Sequence, residues 1–331
     1  MNRAVIVLIC ILSLIAAGLA LGGALSAKAD RLRSESVRVG INAGKTRFIR
    51  FSSAYCRLGG HILAYGILVL TCVTCLFPFL WMIASSLKTP AEVSNTMQLV
   101  FFPHVPQWAN YARAWTTIDM IGGFFNTMII EVATIPICII VSSLEAFAFS
   151  KMYMRHKTVH LLILLSGLMI PYASVVLPLY RAYYQLGFIN TFWPLILPTM
   201  FGSVSQMFFY IQYQKGIPDA MFESGKIDGA SYLQQFIHIM LPMMGPAIAA
   251  QVVFMFIGNW NDFFAPSLYL TTESVKTLQL KLKSLSDGNR MDLPYVFAGA
   301  TITCLPLFAI YFAFQRYFVG GLAITGTGVK E

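Results

Sequence analysis

Charge is what this sequence lacks most. Lys, Arg, Asp and Glu make up only 11% of the chain, against about 25% in an ordinary soluble domain, while 57% of residues are hydrophobic and the mean hydropathy is +0.68. Such a chain is not built to present its whole surface to water. A glycine-rich phosphate loop ending in Gly-Lys-Ser/Thr is also missing, which excludes ATP binding of that kind. No nucleophile–base constellation is visible, so the chain does not read as a stand-alone enzyme. The five histidines (His61, His104, His156, His160, His238) are scattered, which argues against a metal site. The six cysteines (Cys10, Cys56, Cys72, Cys75, Cys138, Cys304) lie almost wholly in apolar runs and offer neither a disulfide framework nor a zinc site. Cys72 and Cys75 have redox-motif spacing, yet their run ends Leu76-Phe77-Pro78, and buried apolar cysteine is the better reading. There is no repeat of fixed period and no low-complexity tract.

What is present is a succession of apolar runs of about 20 residues, each long enough to cross a hydrocarbon core of about 30 Å. The runs are continuous rather than alternating, and an isolated strand cannot satisfy its backbone in lipid, so the spans are helical. The expected class is therefore an all-α membrane protein. The first run, Ala4 to Leu25, exceeds the 7–15 apolar residues of a signal peptide, which favours an additional membrane anchor over a cleavable leader. Six further spans are expected at roughly 61–86, 124–149, 159–185, 192–213, 243–270 and 295–318. Residues 1–58 form the anchor and a basic linker, and residues 59–331 form the core.

Charge sets the orientation. Lys28, Arg31, Arg33, Arg38, Lys45, Arg47, Arg50 and Arg57 stand against Asp30 and Glu35, so this segment holds six of the nine net positive charges. A nucleic-acid surface is one reading of such a stretch. The positive-inside rule is the plainer one before a membrane span, and it places the linker in the cytoplasm together with Lys151, Arg155 and Lys157. By alternation 87–123 and 271–294 lie outside, and 214–242 lies inside. Trp108, Tyr111 and Trp115, with Pro90, Pro103 and Pro106, suit interfacial loops or short surface helices.

Residues 214–242 are too long for a turn and carry the grammar of two helices. Pro218 and Asp219 suit a first turn, Gly229 is placed to end that helix in a left-handed conformation, and Ser231 with Gln234 forms a capping box for a second helix. That second helix spaces Tyr232, Leu233, Phe236, Ile237 and Met240 as one apolar face, and Leu241-Pro242 is expected to stop it. Such an elbow either docks in a groove on another protein or rests on lipid headgroups.

Ionisable residues inside spans mark functional sites by default. Glu131 and Glu145 share a face with Thr134, Cys138 and Ser142 and should turn from lipid. Glu145 is expected to pair with Lys151 or Arg155. Pro171, Ser174, Pro178, Arg181 and Gln185 form a stripe on the third span, with the prolines expected to kink it, and Arg181 is placed to pair with Glu131 or to touch substrate. Asn259, Trp260, Asn261 and Asp262 form the densest polar cluster, combining an aromatic face with amide and carboxylate groups, a combination that suits a sugar. Lys276, Lys281, Lys283 and Arg290 make the last outer segment basic, which fits either an acidic oligosaccharide or a docking surface.

Met221-Phe222-Glu223-Ser224-Gly225-Lys226-Ile227-Asp228-Gly229-Ala230-Ser231, followed by Ile239-Met240-Leu241-Pro242, resembles the Glu-Ala-Ala signature of ATP-binding-cassette importer permeases. Phe77-Pro78-Phe79-Leu80-Trp81, Asn126-Thr127, Leu177-Pro178-Leu179-Tyr180, Leu186-Gly187-Phe188-Ile189-Asn190-Thr191 and Asn259-Trp260-Asn261-Asp262-Phe263 also resemble landmarks of the carbohydrate branch of that family, in the right order. The resemblance implies a six-helix type I permease core in the inner membrane, to which the N-terminal span is an addition. It implies partners: a second, non-identical permease, two ATPase subunits that use ATP and Mg, and an extracytoplasmic solute-binding protein. No nucleic acid and no cofactor bound by this chain are expected. It further implies that Glu223, Ser224, Gly225, Asp228, Gly229 and Ala230 form the coupling helix, with Glu223 facing a basic residue of the ATPase. Ser224-Gly225 departs from the family's Ala-Ala, which lowers helix propensity by about 1 kcal/mol for the glycine and suggests a softer elbow. A secondary transporter would instead need a coupling-ion site at the midplane, for which Glu131 is the candidate.

Overall fold

In the computed structural model, residues 43–94, 101–286 and 293–326 are described, with side chains over 63–94, 101–286 and 293–317. The apolar run Ala4 to Leu25, the basic side chains between Lys28 and Arg57, Arg290 and residues 327–331 lie outside the described residues, as do Cys10 and the side chain of Cys56. The chain divides into two compact units, Met1–Trp81 and Met82–Glu331.

Within the first unit lies most of the long helix α1 (Ala43–Ser86), whose segment Leu63–Ser86 is apolar enough to span a membrane. Leu68, Val69, Leu76 and Phe77 are exposed on it, and so are Cys72 and Cys75. The expectation that these two cysteines are buried is corrected. An apolar side chain on a membrane helix needs no protein neighbour, because lipid tails are an equally apolar medium.

The described part of the second unit is helical throughout, with no strand. Short helices α2 (Pro90–Ser94) and α3 (Ala109–Thr117) precede the central span α4 (Met120–Lys151). A bent pair follows, α5 (Lys157–Gly167) and α6 (Tyr172–Gln185), then α7 (Trp193–Ile196) and α8 (Val204–Lys215), which together make the span Trp193–Lys215. The elbow helices α9 (Ala220–Ile227) and α10 (Tyr232–Met243) lead into α11 (Gly245–Trp260), and α12 (Phe264–Tyr269), α13 (Leu278–Ser286) and the last span α14 (Leu293–Gly326) complete the chain.

Two expected spans are not straight. The third is broken by 82° between α5 and α6, more than the simple kink expected from Pro171, since Pro171 is extended (ψ 134°) and begins a new helix instead of bending an old one. The fifth is not one helix over 243–270. α11 has 16 residues, about 24 Å, and stops at Asn261 before α12 begins.

The sequence's polar stripe explains why α4 is central. Glu131, Thr134, Cys138 and Ser142 are buried and Glu145 is half-buried, so the stripe faces protein. Hydrogen bonds across helices replace the hydrophobic force that lipid removes: Gln214 Nε2 donates to the Ser143 carbonyl at 3.0 Å, Ser150 Oγ to Gln214 Oε1 at 2.6 Å, and the Ser203 amide to Ser142 Oγ at 2.8 Å. All three tie α4 to α8 and its leading turn. Around them Phe147, Met207, Tyr210, Ile211, Phe222, Phe236, Met240 and Met244 form the main apolar core.

Candidate functional site

The elbow is built as its residue pattern requires. Helix α9 ends at Gly229, whose φ of +81° a side chain would strain. The Ala230 amide donates to the Gly225 carbonyl at 2.9 Å and the Gly229 amide to that of Lys226 at 3.1 Å, the paired bonds of a Schellman cap. One residue later Ser231 Oγ accepts from the Gln234 amide, while Gln234 Oε1 accepts from the Ser231 amide at 2.8 Å, a complete capping box. Two caps within three residues leave the sharp turn with its backbone groups satisfied.

The elbow then splits into two faces, which the apolar spacing alone does not show. Phe236 and Met240 are buried, Phe236 with its ring centroid 5.5 Å from that of Phe147, and Phe222 lies 6.0 Å from the same ring. Tyr232, Leu233 and Ile237, expected on the same face, are instead exposed together with Met221 and Ile227. Leu241-Pro242 does not stop the helix either. Phe236–Met240 widens to a π-turn, Leu241–Met243 continues it, and the 76° bend falls after Met243. A π-turn accommodates a residue that has no N–H to give and whose ring would press on the carbonyl four residues back.

Gly225 is buried, and a Cβ there would come within 2.8 Å of Ile239 Cδ1. The glycine permits close contact between α9 and α10, so it serves packing as well as lowering helix propensity. Glu223, Ser224, Lys226 and Asp228 are exposed.

A second constellation lies on α4 and α11. Glu131 is 2% exposed; Asn259 Nδ2 donates to Glu131 Oε2 at 3.2 Å and to Thr134 Oγ1 at 3.1 Å. Thr134 in turn donates to the Ile130 carbonyl at 2.8 Å, which orients its lone pairs toward Asn259. The three residues line a cavity of about 330 Å³, together with Asp262, Thr277, Tyr172 and Phe264. Thr277, Tyr172 and Phe264 are not legible from the spacing of the sequence: they come from three further segments, and only the fold brings them here.

The remaining expected residues go elsewhere. Trp260 is 1% exposed, donates its indole N–H to the Thr303 carbonyl at 3.1 Å and stacks on Phe256; it anchors α11 to α14 and does not line the cavity. Asn261 donates to the Ile257 carbonyl at 2.8 Å and closes the end of α11. Asp262 lines the cavity while Oδ1 accepts from the amides of Phe264 and Ala265. Arg181 is exposed and forms no ion pair with Glu131, correcting that expectation. The buried residues of α6 are Val176 and Tyr183, one heptad apart, and Arg181 lies about 140° to 160° around the helix from both. Glu145 does not hold Lys151 or Arg155; Lys151 binds Asp219 of the elbow at 2.6 Å instead.

The segment after α12 is clamped by α4. Asn126 Nδ2 donates to the carbonyls of Ser274 (2.8 Å) and Lys276 (2.9 Å), and Thr127 Oγ1 accepts from the Leu278 amide at 3.0 Å. Lys281, 3% exposed at its side chain, binds Asp119 Oδ2 at 2.5 Å, and Lys276 pairs with Glu273. The ammonium of Lys281, with the Gly122 amide, holds the Asp119 carboxyl below the usual carboxylate value.

Comparison with known proteins bears on what this arrangement belongs to. The chain is 30% identical over 254 residues to the arabinooligosaccharides transport system permease protein AraQ of Halalkalibacterium halodurans, covering 76% of this chain and 90% of that one. It is 29% identical to the lactose transport system permease protein LacG of Rhizobium radiobacter (79% and 94% covered) and 28% identical to the diacetylchitobiose uptake system permease protein NgcG of Streptomyces coelicolor (79% and 87%). In fold it is similar to a chain of a bacterial ABC transporter involved in the import of the acidic polysaccharide alginate, with a TM-score of 0.68 at 21% identity, covering 79% of this chain and 97% of the other. Residues 119–323, which contain both the elbow and the Glu131 cavity, match one family throughout. The chain belongs to the family of binding-protein-dependent transport system inner membrane components.

Proposed function

We propose that this chain forms half of the transmembrane pathway of an ATP-driven importer for a carbohydrate. The sugar is handed over by an extracytoplasmic solute-binding protein. Two separate ATPase subunits supply the energy, and a second, non-identical permease completes the pore. Glu223, Ser224, Gly225, Asp228, Gly229 and Ala230 are the coupling residues in this reading.

The observation that carries it is the two-faced elbow. Phe222, Phe236 and Met240 fix it to the end of α4 and to α8, while Met221, Ile227, Tyr232, Leu233 and Ile237 stand exposed on a segment that meets α11 at a 76° bend. An apolar surface on a doubly capped turn suits a cleft on another protein. The named substrates of AraQ, LacG and NgcG are all carbohydrates, which supports the substrate class.

The test is purification of the tagged chain from its membrane, scoring ATP hydrolysis in the eluate, for the native chain and for Gly229→Asp and Ile227→Asp. ATPase activity that accompanies the native chain and is lost from both variants supports the reading. A native chain that brings down no ATPase would falsify it.

A further inference from the structure

Three buried side-chain oxygens among the described residues have no hydrogen-bond partner: Glu131 Oε1, Thr277 Oγ1 and Tyr210 Oη. The first two line the same cavity. A buried polar atom left unpaired is destabilising, and native structures keep few of them. Two around one space, on elements distant in sequence, point to a ligand that satisfies both. We infer that this cavity binds an uncharged, hydroxyl-dense ligand, a neutral sugar ring, through Glu131 and Thr277. The inference rests on the import reading above and names the substrate class for this half of the pathway.

Both groups are held in place by neighbours and not by each other. Glu131 Oε2 takes the Asn259 amide, which leaves Oε1 as an acceptor for one ligand hydroxyl. Thr277 sits between Lys276 and Leu278, whose backbone is fixed to Asn126 and Thr127 of α4; its hydroxyl can give one hydrogen bond and accept another. Tyr172 and Phe264 line the cavity with rings set edge to face at 6.0 Å, an apolar surface for the C–H face of a sugar. At about 330 Å³ the space is at the small end of ligand sites, which run from about 300 to 1,000 Å³, and suits one ring more than a chain of several.

Charge decides between neutral and acidic sugars. Glu131 and Asp262 line the cavity and none of its lining residues is basic. A uronate would be brought against the Asp262 carboxylate and the buried Glu131 with no cation to offset its own charge, an arrangement that costs free energy. Two lysines of the basic segment that favoured an acidic ligand, Lys276 and Lys281, are held by Glu273 and Asp119.

The test uses the complete importer in proteoliposomes, with its solute-binding protein outside and ATP in the lumen. One labelled pool contains lactose, raffinose and arabinotriose; the other contains trimers of alginate and galacturonate. Glu131→Gln keeps the size of the side chain, but with its oxygen turned to Asn259 it presents N–H donors to the cavity. Thr277→Val keeps the shape and removes the hydroxyl. The native importer is expected to accumulate the neutral pool, and each variant to lose about tenfold or more of that uptake while still co-purifying with ATP hydrolysis. Undiminished neutral uptake in either variant overturns the inference and leaves the import reading standing, as does uptake of the uronate pool at or above that of the neutral one. Loss of co-purified ATPase in both variants assigns the residues to folding and also overturns it. If the native importer takes up neither pool, both readings fall together.

Discussion

Lys151 Nζ lies 2.6 Å from Asp219 Oδ1 and 2.6 Å from the Ile217 carbonyl, so the last residue of the central span grips the start of the elbow. The pair is asymmetric, with side chains 6% and 78% exposed respectively, and the ammonium also stands 5.0 Å above the Phe222 ring. The buried member is the cation. Asp219→Ala therefore strands a charge and should cost about 1–3 kcal/mol, whereas Lys151→Met, which keeps the packing stem, should cost less, about 1 kcal/mol or under. Both should lower sugar transported per ATP hydrolysed, because the elbow is then less firmly joined to α4. Thermal unfolding of the detergent complex and a transport-to-hydrolysis ratio check this; an unchanged ratio in both variants would show that the tether carries no coupling.

Gly225 gives a second, sharper expectation. Alanine gains about 1 kcal/mol of helix propensity over glycine, but its methyl would meet Ile239 Cδ1 at 2.8 Å. The obstacle is the tip of a flexible side chain, so Gly225→Ala should be near neutral, within about 1 kcal/mol. Gly225→Val should cost about 1–3 kcal/mol by overpacking, and should cost less when introduced into an Ile239→Ala background, whose own truncation is measured separately. The melting temperatures of the single and double variants decide it, with an equal cost of valine in both backgrounds counting against close contact as the reason for glycine.

Asn190 holds a turn that joins distant segments. At φ +61° its Oδ1 accepts from the Thr271 amide (2.7 Å), the Thr271 hydroxyl (2.9 Å) and the Thr272 amide (2.9 Å). Asn190→Asp keeps the acceptor and tolerates the left-handed backbone, so it should behave as the native chain. Asn190→Ala should lose about 1–3 kcal/mol and speed hydrogen exchange in residues 271–275. Equal exchange in the two variants would rule out the clasp.

Acid should loosen the segments around α2 and α13 before the core. Thr89 and His104 amides hold the Glu92 carboxyl below its usual value, with the Thr89 bond the stronger influence, and Lys281 does the same for Asp119. A depressed carboxyl contributes stability above its unfolded value, and that contribution is lost as pH falls through the lower folded value. Exchange of α13, corrected for intrinsic rate, should therefore rise relative to α8 as pH drops below the ordinary carboxylate range. Asp119→Asn should flatten that dependence. A rise of equal size in the variant would place the cause elsewhere.

How much of this was legible in the sequence depends on the range of the interaction involved. The membrane class, the left-handed Gly229 and the capping box of Ser231 with Gln234 are set by residues close to one another in the chain. Apolar length against bilayer thickness and local backbone geometry suffice for them. The stripe from Glu131 to Ser142 could be read as inward-facing for the same reason, since a helix repeats on itself.

What the sequence by itself determined, then, is that this chain crosses a membrane in helices and carries an elbow of two helices capped at their junction. The tertiary structure decided which polar groups meet. Arg181 was expected to pair with Glu131, but Val176 and Tyr183 are the residues that α6 buries and Arg181 stands exposed. Trp260 looked like a sugar platform until α14 offered its Thr303 carbonyl. Thr277 carried no signal at all, because its position depends on Asn126 and Thr127, about 150 residues earlier. A polar side chain inside a membrane protein is directed by whichever partner the fold brings within about 3 Å, and no local periodicity contains that distance.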